Sequence, residues 1–191
     1  MKFSAALSHG KWPVMLLIAG AAAYAYSTTH VLVDTYSGGK LRLYPRSVFG
    51  KEVVDLKTGR TTRLKADGRT TLLVLLSGSE CPSCLDESRT WDRLAARPDR
   101  IRVAAIFVGA TTRDVGNYIA QRKPSYEVYQ FSRNEGEEAF GGPFTHPLSV
   151  LLDRWGRVLY ASGPTGLPSE HQRFARTIGG LIASPEQRSQ K

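Results

Sequence analysis

The two cysteines of this 191-residue chain stand three positions apart, as Cys81-Pro82-Ser83-Cys84. Two thiols at that spacing can cycle between dithiol and disulfide, exchanging with the disulfides of other proteins, or they can contribute to a metal site. A structural zinc site needs four ligands, usually a second C-x-x-C or a pair of closely spaced histidines. The histidines here are His9, His30, His146 and His171, widely separated, so a zinc site is not expected, and neither is any other cofactor. Cysteines this close cannot cross-link distant parts of a fold, which excludes a structural disulfide framework. The plainer alternative is a small buried cysteine pair with no turnover.

Placement favours redox chemistry. The motif follows Thr70-Thr71-Leu72-Leu73-Val74-Leu75-Leu76, a continuous apolar run that suits a central strand covered on both faces. Gly78-Ser79 interrupts the run, and a helix is expected from near Cys81 to about Ala96. Cys81 then sits at a helix N-terminus, where unpaired N–H groups and the macrodipole stabilise a thiolate. Pro82 fits the first turn, which needs no N–H from it. Cys84 lies one turn further in. Glu87, three residues after Cys84, is its neighbour on a helix surface, and a desolvated carboxyl there would have a raised pKa suited to proton transfer. The alternative for Glu87 is a solvated helix charge like its neighbour Asp86.

Other elements must frame this helix. Val53–Leu56 and Thr61–Leu64 flank Lys57-Thr58-Gly59-Arg60 as a β-hairpin. Ile101–Val108 is a second apolar strand, Asp114–Gln121 a short helix capped by Thr112, and Tyr126–Phe131 a short strand. Glu135–Phe140 suggests one or two helical turns. Val150–Leu152 and Val158–Tyr160 form a second hairpin around Asp153-Arg154-Trp155-Gly156, and Ser169–Ile182 closes the chain as a helix. The order ββ, βαβα, ββα predicts an α/β fold: a central mixed sheet flanked by helices, with an N-terminal β-hairpin.

On these residues the chain resembles the thioredoxin superfamily, and within it the TlpA/ResA-like exported thiol–disulfide oxidoreductases (redoxins), over roughly residues 53–182. A second motif carries the resemblance independently: Thr145-His146-Pro147-Leu148-Ser149-Val150-Leu151-Leu152-Asp153-Arg154-Trp155-Gly156 is similar to the family's cis-proline segment, a proline before a strand that ends in Asp-x-x-Gly. The resemblance implies a cis Pro147 beside the dithiol, with His146 and Pro147 in the substrate-binding segment. It also implies Cys81 and Cys84 as the catalytic pair and Glu87 as the group that accepts or donates the Cys84 proton. Three positions depart from the family: Arg89 stands where a helix-kinking proline is frequent after the acid, and the other two bear on the thiolate. Glu80 replaces the tryptophan common before the first cysteine and opposes thiolate formation at Cys81. His146, if protonated, would favour it. The redox direction is therefore open, with reduction of partner disulfides preferred because the resemblance is to reductants of exported apoproteins. Two other functions stay in play: a soft-metal carrier holding Cu(I) between the thiolates and His146, and a thioredoxin-fold interaction module of a membrane complex.

The N-terminus points to export. Lys2 and Lys11 precede an apolar run from Trp12 to Tyr26, and Ala23-Tyr24-Ala25 offers a cleavage site. A cleaved signal peptide and a signal anchor reaching Val33 are both compatible with that pattern. Either implies a periplasmic protein, with possible membrane association through this segment. The expected division is residues 1–33 as signal or anchor, 34–49 as linker, 50–184 as the thioredoxin-like domain and 185–191 as a tail. A net charge of +9 is spread through the sequence rather than drawn into a basic stripe with interleaved aromatics. No nucleic-acid partner is expected; the plain reading is a solvated basic surface, and one that could face anionic lipid or an acidic partner. The expected partners are protein thiols and disulfides and a membrane electron donor.

Overall fold

Chain geometry in the computed structural model is described for residues 31–34, 40–43, 48–77, 82–132, 147–163 and 168–183. The apolar run is β5 (Thr71–Ser77), buried along its length except at Ser77. It is followed by α1 (Pro82–Ala95), β6 (Arg102–Val108), α2 (Thr112–Arg122) and β7 (Glu127–Phe131). The chain then adds β8 (Leu148–Leu152), β9 (Val158–Ser162) and α3 (Pro168–Ala183). Ahead of β5 stands the expected hairpin, β3 (Glu52–Asp55) and β4 (Arg60–Arg63). Its turn is closed by Asp55, whose carboxylate accepts the Lys57 and Thr58 N–H groups, while Gly59 takes a φ of +68°, a region glycine enters without steric cost.

One seven-stranded sheet runs in the order β4-β3-β7-β6-β5-β8-β9. β5, β6 and β7 are parallel, linked by the α1 and α2 crossovers, and the flanking pairs are antiparallel. A continuous apolar sequence suits β5 because both sheet faces are covered. Even residues Leu72, Val74 and Leu76 face a layer containing Trp91 of α1, Val115 of α2, and Phe174 and Ile178 of α3. Odd residues Leu73 and Leu75 face the opposite layer, with Ile106, Val150, Phe131, Val48, Val53 and Leu64.

Three details differ from the sequence expectation. Lys40–Leu43 (β2), within the expected linker, pairs antiparallel with Val31–Asp34 (β1) in a separate two-stranded sheet. Val31 and Val33, like Leu41 and Leu43, recur with the two-residue period of a strand, a signal masked by reading Val31–Val33 as the end of an anchor. Val48, also in the expected linker, is fully buried in the core, so the packed unit includes residues before position 50. The cap of α2 is Thr111 rather than Thr112: its hydroxyl accepts the Asp114 N–H, and the Asp114 carboxylate accepts the Thr111 N–H in return, a reciprocal capping box. The helical turns expected over 135–140, the export segment and the tail lie outside the described residues. Among the described residues no helix is long and apolar enough to cross a membrane.

Candidate functional site

The site expected from sequence lies where β5 delivers the chain to α1. Pro82 is the first residue of α1, and Cys84 occupies its third position, inside the first turn whose N–H groups have no helical acceptor. Cys81 precedes the helix by one residue and lies outside the described residues. Tertiary contacts hold α1 firmly in place. Trp91 is fully buried against the sheet, its ring edge-on to Tyr126 at 6.1 Å between centroids. Asp92 accepts hydrogen bonds from the Ser125 N–H and hydroxyl at 2.9 and 2.7 Å, fixing the helix to the segment that enters β7. The Tyr126 hydroxyl in turn meets that of Tyr118 on α2.

Glu87 is 1% exposed, which rules out the solvated alternative. It lies four residues before Trp91 and three after Cys84, so the buried side of α1 carries Glu87 and Trp91 together. Ser88 and Thr90 are buried on the same helix. A carboxyl taken out of water is favoured in its neutral form unless charge or hydrogen bonds compensate, and such a group exchanges a proton more readily near neutral pH than a solvated one.

β8 brings the second motif alongside. It pairs antiparallel with β5, Leu75 opposite Leu148. By this register the end of β5 and Pro147, one residue ahead of β8, reach the same edge of the sheet, in strands about 4.8 Å apart. Pro147 is buried in a bend at that edge; His146 lies outside the described residues, and with it the 146–147 peptide bond. The far end of the motif has a clear physical basis. The buried Asp153 carboxylate accepts the Trp155 and Arg157 N–H groups at 2.9 and 2.8 Å and the Arg157 guanidinium at 2.6 Å, and Gly156 adopts a φ of +78°. Asp-x-x-Gly is thus the residue pattern of a self-capped turn that sets where β8 ends.

Sequence reasoning passed over Ser149. It lies two residues after Pro147, is 1% exposed, and its hydroxyl has no hydrogen-bond partner among the described residues. Leu148, Val150 and Leu152 belong to one core layer, so strand alternation turns Ser149 to the other, the layer that holds α1. Trp91 Nε1 is the other unpartnered buried side-chain atom among the described residues. Both polar atoms therefore lie in the layer beneath the helix that carries Cys84 and Glu87. A hydroxyl in an otherwise apolar strand was the available signal. Among the described residues, no group of three or more His, Cys, Asp or Glu is placed to hold a metal ion.

A central strand leading to a C-x-x-C helix, an antiparallel strand entered through a proline, and a closing helix on the same face define the thioredoxin-like fold. Solved structures agree. A secreted Mycobacterium tuberculosis disulfide oxidoreductase, described as homologous to E. coli DsbE, superposes with a TM-score of 0.59 at 12% identity, over 71% of this chain and 98% of that one. A thiol:disulfide interchange protein of the thioredoxin family from Chlorobium tepidum gives 0.56 at 20% identity, over 70% and 93%. The exposed lipoprotein thioredoxin Etrx1 of Streptococcus pneumoniae gives 0.53 at 17% identity, over 66% and 98%. No family model matches the chain, and no curated protein matches it. The likeness is one of fold.

Proposed function

We propose that this chain is an exported thiol–disulfide oxidoreductase that reduces disulfides of partner proteins through Cys81 and Cys84. The observation that carries the reading is Glu87, a carboxyl buried one helical turn beyond Cys84. The disulfide oxidoreductases and thioredoxins among the similar folds support it.

In the proposed reaction the Cys81 thiolate attacks one sulfur of a partner disulfide, and the other partner sulfur leaves as a thiolate that takes up a proton. Cys84 then loses its proton to Glu87 and attacks the Cys81 sulfur. The second partner sulfur departs and is protonated, leaving Cys81–Cys84 oxidised and the partner reduced by two electrons and two protons. In this reading Pro147 and His146 offer backbone to an extended segment of the partner. A membrane electron donor returns the two electrons, and the apolar N-terminal segment keeps the protein outside the cytoplasm, either released by cleavage or anchored.

A Cys84→Ser variant tests this directly, because it stops the reaction at the mixed disulfide. The expected outcome is a set of covalent, dithiothreitol-sensitive adducts in cells, absent from Cys81→Ser. A variant whose Cys81 alkylates readily yet traps no partner would overturn the proposal and favour metal carriage or a purely structural role.

A further inference from the structure

The end of the sheet opposite the N-terminus of α1 carries a feature that thiol exchange does not use. Trp155, in the β8–β9 turn, is 44% exposed, the one large apolar side chain so exposed among the described residues. Two guanidiniums lie over its ring, that of Arg154 at 4.1 Å and that of Arg157 at 4.7 Å from the centroid. Thr71 pairs with Leu152, so this turn adjoins the loop entering β5, and the Arg102 N–H donates to Thr70 O, joining the loop entering β6. Arg69 ties those two loops by donating to the Pro98 carbonyl at 3.0 Å.

The three loops present Lys65, Arg69, Arg97, Arg100, Arg154 and Arg157 at one pole. Asp67, Asp99 and Asp153 pair with Arg69, Arg100 and Arg157. Lys65, Arg97 and Arg154 have no carboxylate partner among the described residues. An exposed indole in contact with the uncompensated Arg154, at a pole that also carries Lys65 and Arg97, suits the boundary of an anionic bilayer: the ring settles at headgroup depth and the free cations meet lipid phosphates. The rest of the chain is consistent with this. Its net charge is +9, and β1, the first described element after the apolar run Trp12–Tyr26, lies against β9, the strand that leaves the Trp155 turn.

We infer that this pole is a docking surface for anionic phospholipid, seating Trp155 and its basic surround on the membrane and turning the Cys81–Cys84 edge of the sheet away from it. The inference does not depend on the direction, or even the occurrence, of thiol exchange. It assigns the exposed tryptophan a role as an orienting anchor that supplements the N-terminal segment.

The test uses full-length chain carrying Trp12→Phe, so that emission comes from buried Trp91 and exposed Trp155. Vesicles of phosphatidylcholine with about 30% phosphatidylglycerol should lower the acrylamide quenching constant about two-fold relative to pure phosphatidylcholine. Lys65→Glu, Arg97→Glu and Arg154→Glu together should abolish the difference while circular dichroism and thiol reactivity are retained. Raising salt to about 0.5 M should also abolish it in the unreversed protein, which needs no further folded variant. Equal quenching in both vesicle types would overturn the inference, as would protection that survives both charge reversal and salt. Protection by duplex DNA without vesicles would do the same, in favour of nucleic acid.

Discussion

Glu87 shows what burial adds to a residue type. On a helix of alternating charges it looks like its neighbour Asp86, yet it is enclosed with Trp91. If it handles the Cys84 proton, Glu87→Gln should shift or flatten the pH profile of Cys81–Cys84 reduction and slow resolution of mixed disulfides by about ten-fold or more. Stopped-flow alkylation and insulin reduction across about pH 5–9 would read this, a range set by ordinary carboxyl and thiol values of about 4 and 8.5. An unchanged profile removes Glu87 from the mechanism. Asp67 offers a second residue-level test, one of stability. Burial pushes its pKa up, but hydrogen bonds from Arg69 and the charge of Arg102 outweigh this and hold it below the ordinary value of 3.8. A carboxyl lowered in the folded state stabilises the fold above its unfolded pKa, and that contribution disappears as pH falls through the lowered value. Urea titrations from about pH 5 down to about pH 2 should therefore show a loss that Asp67→Asn lacks.

Among the elements, the helices carry avoidable instability. Gly116 in α2 and Gly179 in α3 are exposed helical glycines with open space where a Cβ would sit. Gly116→Ala and Gly179→Ala should each raise unfolding free energy by about 1 kcal/mol, because alanine loses less backbone entropy in a helix. Removing the cap of α2 should act in the opposite sense, Thr111→Ala costing about 1 kcal/mol. Equilibrium urea denaturation measures all three. At the start of the central strand β6, Arg102 is 8% exposed and donates to both Glu127 carboxylate oxygens and to Lys65 O. It thereby joins β6, β7 and the loop after β4, one pole of a frame whose other pole holds the N-terminus of α1. Burial, together with the hydrogen bond that the Tyr129 hydroxyl donates to Glu127, pushes that phenol up to about 12.

For the molecule as a whole, the testable quantity is where the folding unit begins. Val48 is fully buried and Phe49 packs against the same core layer, while the Gly50 N–H donates to Leu64 O at 2.7 Å. A chain beginning at Ser47 should therefore be more stable than one beginning at Lys51 by about 2 kcal/mol or more, from the apolar surface that Val48 and Phe49 bury. Equal stabilities, measured by urea denaturation, would show that residues 48 and 49 do not contribute.

Much of this organisation was legible in the sequence, because local patterns have local causes. A seven-residue apolar run bounded by turn residues suits a covered strand, Asp153 and Gly156 encode a turn, and the spacing of Cys84 and Glu87 makes them neighbours on any helix. What needed the tertiary structure were relations between distant segments. The pairing of Leu75 with Leu148 brings Pro147 to the end of β5, and no spacing in the sequence states a register between strands so far apart along the chain. Burial of Glu87 and of Ser149, and the gathering of Trp155 with bases from three loops, depend likewise on which faces the packed sheet covers and which it leaves to solvent. Side-chain chemistry is written residue by residue; the environment that tunes it exists only once the chain has folded.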